Sequence, residues 1–386
     1  MARPVRLTKP LERVIHEGHP WIYRDALEPH DAQPGDTVTV HDKRGRFVCR
    51  GHADSGPIAV RVWTTEDESL ARLYSARFSQ AFALRERIRP PDSDAYRLVH
   101  GEADRMPGCV IDRYADVAVM RLDGDGATAL REPLVLAAEP HLRALGIHTL
   151  LWRVGRKQQV EVNAAFGQLP TEHVIVRERG TKLVADLQHG QKTGLFLDLR
   201  ESRHRVRQLS HGLRVLNLYG YTGGFSVAAS LGGAAHVTTV DIAPEAVKLT
   251  ADTYAANDLG GAAHEAVTSD VPTYLDGLPS DATFDLVVCD PPSFAPSERA
   301  LPAALDSYRG LHERCMRRVV RGGLYLAASC SSHVDRAAFE ETLREGARRA
   351  RRVVQVLERS DAPADHPRLL GFPEFDYLKV SLCRVL

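Results

Sequence analysis

The C-terminal half of the chain alternates apolar strands with helices, and this alternation constrains the fold more than any other feature. The predicted strands are RVLNLY, HVTTVD, FDLVVCD and GGLYLAAS, and the predicted helices are GFSVAASLG, PEAVKLTADTYAAND and residues 301–320. Strands buried on both faces are nearly continuous apolar runs, and the helices between them supply the crossovers of a parallel sheet. The pattern therefore predicts an α/β fold with a doubly wound sheet over residues 179–386.

Two smaller units are predicted before this sheet. Residues 1–70 contain short alternating runs, DTVTVHD, GRFVCRG and IAVRVW, separated by turn signals, which is typical of a small β-rich domain. Residues 71–178 begin in an apolar pattern of helical spacing that stops at Pro90-Pro91, and strand patterns follow, which predicts an α+β domain. A chain of 386 residues has room for two or three domains.

Composition excludes several classes of protein. With 44% hydrophobic and 26% charged residues the chain is not disordered, and its 50 basic and 50 acidic residues make no bulk polycation. No apolar run approaches the roughly 18 residues of a membrane span, and the N-terminus has no secretory pattern. The six cysteines form no CxxC pair, so neither a disulfide scaffold nor a metal centre is expected, and a cytoplasmic location is predicted.

A glycine-rich turn follows the first strand of the predicted sheet. Gly220, Gly223 and Gly224 let the backbone approach a ligand closely, although their spacing is not the dinucleotide GxGxxG. Asp241 ends the next strand, about twenty residues later, where an acid takes a ribose hydroxyl pair. A packing turn is the alternative interpretation. Because no phosphate-binding signature is present, S-adenosylmethionine, which has an adenosine but no phosphate, is the predicted ligand.

Asp290-Pro291-Pro292-Ser293-Phe294 follows the strand FDLVVCD. Two prolines make a rigid, non-helical loop, which would hold Asp290 at the carboxyl end of the strand, where ligands bind in such sheets. Phe294 could stack on a planar base. The alternative is a strand-exit turn with a packed phenylalanine.

Cys330 follows the strand GGLYLAAS and faces the same predicted crevice. A thiol is usually a small buried hydrophobe, but next to a ligand site it becomes a candidate nucleophile. Cys289 is the rival, yet side chains alternate along a strand, so it should point away if Asp290 faces the site. The four other cysteines are interpreted as structural.

A polar segment precedes the sheet domain. Gln191, Lys192, Thr193 and Gly194 are followed by Asp198, and this density of polar residues does not indicate core. An ordinary solvated helix face is the alternative interpretation for the stretch around Asp198 and its neighbouring arginines.

Taken together, these segments resemble a known family. QKTGLFLDLRESR, VLNLYGYTGGFSVAA, FDLVVCDPPSF, GGLYLAASCSS and the C-terminal ADHP…GFPEFDYLKVSLCRVL resemble the RlmI-like class I methyltransferases, which form 5-methylcytosine in 23S ribosomal RNA. The start, with HPWIY, PGDTVTVHDKRGRFVCRG and AVRVW, is similar to the RNA-binding PUA domain of that family, and RLVHGEADRMPGCVIDRY to its central α+β domain. The resemblance spans almost the whole chain and is compatible with a homodimer.

The resemblance implies a role for each site residue. The cofactor S-adenosylmethionine would be held by Asn217, Tyr219, Gly220 and Asp241, with Asp270 near the adenine. Its methionine end would be covered by Gln191, Lys192, Thr193, Gly194 and Asp198. The target cytosine would be flanked by Asp290, Pro291, Pro292, Ser293 and Phe294, with Cys330 as the nucleophile. The family usually has lysine where this chain has Ser293.

The implied chemistry explains why a thiol is needed. Cytosine C5 is a poor nucleophile, and addition of a thiolate at C6 makes it enamine-like. The base must be single-stranded or flipped out of a duplex, and basic residues of the N-terminal unit and around 200–214, 309–321 and 344–352 would hold the RNA phosphates. Two alternatives remain: a methyltransferase of the same fold acting on another base or atom, and a non-catalytic RNA-binding ribosome-assembly factor.

Overall fold

The computed structural model describes residues 2–155, 160–261 and 263–386, and it divides the chain into two compact units. The first consists of Met1–Val174, Asp186–Leu197 and Ala364–Phe375. The second consists of Ile175–Ala185, Asp198–Pro363 and Asp376–Leu386. The boundaries predicted near residues 70 and 178 stay a prediction.

The first unit contains two five-stranded sheets. Its elements in chain order are β1 (Arg3–Arg6), α1 (Glu12–His16), β2 (Trp21–Tyr23), β3 (Thr37–His41), β4 (Phe47–Ala53), β5 (Ile58–Thr64), α2 (Leu70–Ile88), β6 (Ala95–His100), β7 (Cys109–Tyr114), β8 (Val117–Leu122), α3 (Asp125–Ala129), α4 (Arg131–Ala144), β9 (Thr149–Val154) and β10 (Glu161–Phe166). The strand orders are β1-β3-β4-β5-β2 and β10-β9-β8-β7-β6, so the β-rich and the α+β patterns each give a sheet.

Helix α2 illustrates how the sequence determines these elements. Leu70, Leu73, Phe78 and Phe82 are buried at helical spacing, so one face of the helix covers the second sheet of this unit. The helix ends at Ile88, just before Pro90-Pro91, as the sequence predicts. No helix of the described part of the chain is both long and apolar enough to cross a membrane.

The second unit has a seven-stranded sheet in the order β15-β14-β13-β16-β17-β19-β18. Its elements, after the two-stranded sheet β11 (Val174–Glu178) and β12 (Thr181–Ala185), are α5 (Arg200–Leu209), β13 (Arg214–Leu218), α6 (Gly224–Leu231), β14 (His236–Asp241), α7 (Pro244–Ala256), β15 (His264–Thr268), α8 (Val271–Gly277), β16 (Phe284–Cys289), α9 (Leu301–Arg317), β17 (Val319–Ser329), α10 (Arg336–Ala350), β18 (Val354–Ser360) and β19 (Lys379–Val385). The first five strands of the order are parallel, which confirms the predicted α/β class, whereas β19 pairs antiparallel with both β17 and β18.

The strand order reverses at β13, and this places the site. From β13 the chain continues to β14 and β15 on one side and then returns to β16 and β17 on the other. Leu218, the last residue of β13, is paired with Val240 and with Cys289, and Cys289 with Ala327. The carboxyl ends of β13, β14, β16 and β17 therefore lie side by side at a topological switch point, where open α/β sheets bind ligands.

A buried histidine in the core of this unit gives the first prediction. His312 of α9 is fully buried, its Nδ1 lies 2.7 Å from the Tyr325 hydroxyl oxygen, and burial lowers its pKa from 6.5 to about 3. As the pH falls below 6.5 the unfolded chain gains a proton that the folded chain does not bind, so stability is lost between pH 6.5 and 3. Between pH 6 and pH 5 the free energy of unfolding should decrease in the native protein and in His312→Gln. We expect the decrease to be about 1 kcal/mol smaller in His312→Gln.

Urea unfolding at the two pH values measures this difference. His148→Gln is the matched control, because His148 is exposed in the turn before β9 and its replacement should leave the pH dependence unchanged. An equal loss of stability in His312→Gln and in the native protein would show that this histidine does not contribute to the acid sensitivity.

Candidate active site

The turn after β13 is a strained loop that packs closely against β14. Tyr219 and Tyr221 have positive φ angles, 58° and 45°, which side-chain-bearing residues rarely adopt. Between them, Gly220 leaves no room for a side chain, since a Cβ there would lie 2.3 Å from Cγ2 of Thr239. Gly223, with φ of 75°, is the N-cap of α6. The glycines are thus required by close packing and backbone conformation at the switch point.

Beneath this loop runs a chain of four polar side chains. Asn217 Nδ2 donates to Ser226 Oγ at 2.8 Å, Ser226 Oγ lies 2.5 Å from Thr239 Oγ1, and that atom lies 2.9 Å from His264 Nε2. Burial lowers the pKa of His264 to about 4, so at neutral pH its ring is uncharged and its Nε2 can accept a hydrogen bond from the Thr239 hydroxyl. This series of hydrogen bonds fixes the Asn217 amide group with its nitrogen toward Ser226. The amide oxygen, which is buried, has no hydrogen-bond partner within the described structure.

Asp241 ends β14 and holds the loop from the other side. One carboxylate oxygen accepts a hydrogen bond from the Tyr221 amide at 2.8 Å, and the other from the Ala243 amide at 2.9 Å. Each oxygen keeps a lone pair for a further donor, which suits a ribose diol. Next to it, Ile242 exposes 68% of its surface at the carboxyl end of the sheet. Sequence reasoning missed Ile242, although an isoleucine directly after such an acid is a detectable signal of an apolar platform.

Asp270 has a structural task in addition to any ligand contact. It is the N-cap of α8 and accepts hydrogen bonds from the backbone nitrogen of Thr273 at 3.2 Å and from its hydroxyl at 3.0 Å. The exposed Asp270 follows β15, whose residue Thr268 is paired with Asp241. Its position beside Asp241 agrees with the predicted adenine end, but its role toward a ligand stays a prediction.

The Asp290–Phe294 loop leaves the sheet at the end of β16. Asp290 is half-buried, whereas Cys289 before it is fully buried in the core, as alternation along the strand predicts. Pro291 is buried and Pro292 exposed. The sequence predicts that the Phe294 ring could stack on a nucleic-acid base. In the structure this ring packs against Tyr308, with ring centroids 4.8 Å apart. One face of this ring is therefore used within the protein.

Cys330 lies directly after β17 in a loop that several hydrogen bonds hold. The Tyr308 hydroxyl lies 2.9 Å from Ser329 Oγ and 3.0 Å from Ser331 Oγ, the two serines that flank the cysteine. Ser331 Oγ is also 3.1 Å from Ser293 Oγ, so the two candidate substrate loops are joined by a hydroxyl pair. Both serines are fully buried, while Cys330 is half-buried. The hydrogen bonds thus fix Ser329 and Ser331, while the thiol between them stays partly exposed.

Two further side chains of the second unit border this region. Lys379 of β19 is buried and donates from Nζ to the carbonyl oxygens of Ser331 and Tyr377, at 2.6 and 2.8 Å. The Tyr377 hydroxyl donates to Asp198 Oδ2 at 2.8 Å, which anchors that predicted carboxylate before α5. Sequence reasoning did not single out either residue. A lysine at the start of the apolar run KVSLCRVL was the available signal for Lys379.

The predicted group Gln191–Gly194 belongs to the first unit. Thr193 is buried there, its hydroxyl donating to Asp112 Oδ2 at 2.6 Å and lying 2.8 Å from the Tyr114 hydroxyl. Lys192 Nζ lies 4.4 Å from the centroid of the Phe196 ring. Gly194 has φ of 141°, and a Cβ there would meet Leu187. These contacts fix the segment on the first unit, and its role toward a cofactor stays a prediction.

The arginine-rich stretches are less available than their sequence suggests. Arg203 is buried against Glu178, and Arg205, Arg314 and Arg344 each form an ion pair with an acid on the surface. Surface ion pairs of this kind contribute little to stability but lower the local positive charge. Within the first unit, Lys43 and Arg44 lie exposed at the β3–β4 turn, while Arg46 pairs with Asp42.

Two family models match the chain. Residues 131–376 match the S-adenosylmethionine-dependent methyltransferase model, and residues 5–65 match a PUA-like domain. The first match covers the loops after β13, β14, β16 and β17.

Curated relatives match over nearly the full length. A ribosomal RNA large subunit methyltransferase of Deinococcus radiodurans is 37% identical, over 97% of this chain and 95% of its own. The ribosomal RNA large subunit methyltransferase I of Shigella boydii is 34% identical, over 98% of both chains.

Solved structures support the fold. A protein of Streptococcus mutans, classed as an S-adenosylmethionine-dependent methyltransferase, has a TM-score of 0.87 at 23% identity and is covered completely by 99% of this chain. A second methyltransferase structure with the same TM-score and identity is complexed with SAH. At this identity the likeness concerns the fold alone.

Proposed function

The chain belongs to the family of S-adenosylmethionine-dependent methyltransferases, and on that premise we propose that it methylates C5 of a cytosine in 23S ribosomal RNA through a thiolate of Cys330. The observation that carries the proposal is the placement of this thiol. Cys330 is the half-buried one among the six cysteines, and it follows a core strand next to the strand that ends before Asp290. The relatives named as ribosomal RNA large subunit methyltransferases support an RNA substrate.

The residues around β13 suit the cofactor. The unpartnered amide oxygen of Asn217 is a buried acceptor at the switch point, Asp241 keeps lone pairs for a ribose diol, and Ile242 offers an apolar surface. These residues, with Tyr219, Gly220 and Asp270, would hold S-adenosylmethionine. When bound, this cofactor supplies an electrophilic methyl group on a sulfonium.

The protein's own groups would make C5 reactive. The Cys330 thiolate would form a bond to C6 of the cytosine, which makes C5 enamine-like and able to take up the methyl group that the cofactor would supply. Loss of the C5 proton and departure of the thiolate from C6 would then restore the ring of the methylated base. Asp290, at the end of β16, would hydrogen-bond the N3/N4 edge of the base and, with its carboxyl group protonated, donate to N3 and stabilise the negative charge that develops on the attacked ring. The rigid Pro291-Pro292 segment would hold that carboxyl group in place.

Ser293 stands where the resembled family usually has lysine, and its hydroxyl has a partner in the cysteine loop. Its hydroxyl lies 3.1 Å from Ser331 Oγ, so it would position the cysteine loop against the base-binding loop. Phe294 would flank the cytosine with the face that Tyr308 leaves uncovered.

The PUA-like segment 5–65 would hold RNA through phosphate contacts at the exposed β3–β4 turn. The proposal includes a cytoplasmic location, because six free cysteines fit a reducing compartment. A homodimer stays a prediction from the family resemblance.

Methyl transfer tests this proposal. Labelled S-adenosylmethionine would be incubated with 23S ribosomal RNA from a strain that lacks the gene, and the product nucleoside identified by mass spectrometry. We expect 5-methylcytidine. Another methylated nucleoside would instead indicate an enzyme of the same fold acting on a different atom. Cofactor binding without transfer to naked RNA or to partly assembled subunits would favour a non-catalytic assembly factor.

Replacement of Asp241 should weaken cofactor binding. Asp241→Asn keeps an oxygen for one of the two loop amides but removes the charge and one acceptor, and hydrogen bonds to charged groups contribute about 1.5–3 kcal/mol. We expect the dissociation constant for S-adenosylhomocysteine, measured by calorimetry, to rise about 10- to 100-fold. Asp252→Asn, on the exposed face of α7, is the matched control and should leave this constant unchanged. Equal affinities in the two variants would refute the role assigned to Asp241.

A further inference from the structure

A buried lysine stands beside the proposed nucleophile. Lys379 is the first residue of β19, and the antiparallel register pairs it with Ser329, the residue before Cys330. Only 1% of its surface is exposed. Burying an ammonium is costly, so a lysine in this position calls for a physical reason.

Its hydrogen bonds direct the ammonium to the cysteine loop. Nζ donates to the Ser331 carbonyl oxygen at 2.6 Å and to the Tyr377 carbonyl oxygen at 2.8 Å. Lys379 is thus paired with Ser329, the residue before Cys330, and bonded to Ser331, the residue after it. These two contacts place the ammonium next to the turn that carries the thiol. Carbonyl groups satisfy these two N–H bonds without neutralising the charge, so the ammonium can still act on an anion.

We propose that Lys379 is a positioning residue for the methyl-transfer reaction, whose buried ammonium stabilises the thiolate of Cys330 and holds its loop. This inference rests on the proposed role of Cys330 as nucleophile. Ionisation of the thiol releases its proton to water, and the lysine keeps its three protons, so the step requires no additional reactant.

The charges around Lys379 agree with this assignment. Burial lowers the pKa of Lys379 to about 8, and of the groups that raise it again the Cys330 thiolate has the largest effect. Asp376 before β19 and Asp335 at the start of α10 also raise the pKa, while Arg336 lowers it. Interaction between two charges is reciprocal, so an ammonium that is stabilised by the thiolate stabilises that thiolate equally. Below pH 8 the lysine carries its charge.

The accessible thiol makes a direct test feasible. Because the other five cysteines are buried, alkylation of the folded protein by iodoacetamide should report Cys330, with Cys330→Ala as the blank. The rate would be measured from pH 5 to pH 9.5 by mass spectrometry of the peptide that contains residue 330. A thiol is alkylated as its thiolate, so the midpoint of the profile gives the ionisation of Cys330.

Three variants separate charge from structure. Lys379→Met removes both the charge and the hydrogen bonds, Lys379→Gln removes the charge but keeps donors for the carbonyls, and Lys379→Arg keeps the charge. We expect the midpoint to rise by about one pH unit in the Met and Gln variants, with about tenfold slower alkylation at pH 6, and to stay near the native value in the Arg variant. Lys248→Met, on the exposed face of α7, is the matched control.

A native midpoint in folded Lys379→Gln would overturn the proposal, and so would an equal shift in the Gln and Arg variants, which indicates a structural role. The limiting alkylation rate at high pH shows whether the loop has become disordered in a variant. Binding of S-adenosylhomocysteine shows whether the variant is folded, and a variant that does not bind is replaced by the next of the three. Alkylation requires no RNA. A Lys379-dependent midpoint in a protein that makes no 5-methylcytidine would support stabilisation of the thiolate by Lys379 but refute the proposed function, and with it the part of the lysine in methyl transfer. A midpoint that does not depend on Lys379 in a protein that makes 5-methylcytidine would refute this inference alone.

Discussion

Cys330→Ala is expected to abolish formation of 5-methylcytidine, with a fall in the single-turnover rate of roughly a thousandfold or more. Without the thiolate no bond forms at C6, and C5 of cytosine is too weak a nucleophile to accept a methyl group at a useful rate. The measurement is transfer of labelled methyl to 23S ribosomal RNA under single-turnover conditions, with the nucleoside identified by mass spectrometry.

The variant should keep its cofactor site. Cys330 lies after β17, whereas Asn217 donates to Ser226 and Asp241 accepts from the amides of Tyr221 and Ala243. The affinity for S-adenosylhomocysteine should therefore equal that of the native protein. Cys383→Ala is the matched control, since this thiol is buried on β19 opposite Tyr325 and should affect stability but not transfer. Full activity in Cys330→Ala would reject cysteine chemistry and favour methylation of another atom by the same fold.

The sequence predicts the parallel part of the sheet well and the antiparallel part poorly. Strands such as Arg214–Leu218 and Phe284–Cys289 consist mostly of apolar residues and are buried over most of their length, and such burial can be predicted from residue type. The direction of the strand Lys379–Val385 cannot be predicted in this way, because residue type does not indicate whether a strand runs parallel or antiparallel to its neighbours. Its antiparallel pairing depends on where the chain re-enters the sheet after Ala364–Phe375, a segment that belongs to the first unit.

The same distinction applies to the site. Alternation along β16 predicts that Cys289 points away from the site if Asp290 faces it, and the structure buries the Cys289 side chain fully. The place of Lys379 beside Cys330 follows from register between strands far apart in sequence, which local patterns do not contain. Phe294 and Thr193 show the reverse case, because polar or aromatic residues that read as ligand contacts have protein partners in the structure.

Asp290→Asn is expected to lower the rate of methyl transfer about 10²- to 10³-fold, the usual effect of removing a group that stabilises developing charge. The half-buried carboxyl group follows the buried end of β16 and is held by the rigid Pro291-Pro292 segment, so the asparagine should occupy the same place. It would keep a similar shape and one acceptor, but it cannot supply a carboxyl group to the N3/N4 edge of the base as the ring is attacked.

The loss should appear in the chemical step and not in cofactor binding. We expect an unchanged affinity for S-adenosylhomocysteine and a reduced single-turnover rate at saturating RNA. Asp285→Asn is the matched control on the same strand, since Asp285 accepts a hydrogen bond from the Arg214 amide at 2.8 Å at the opposite end of the sheet from the site. That variant should transfer methyl groups at nearly the native rate. If Asp290→Asn did the same, the carboxylate would have no part in activating the base, and Cys330 with its buried lysine would have to account for the chemistry alone.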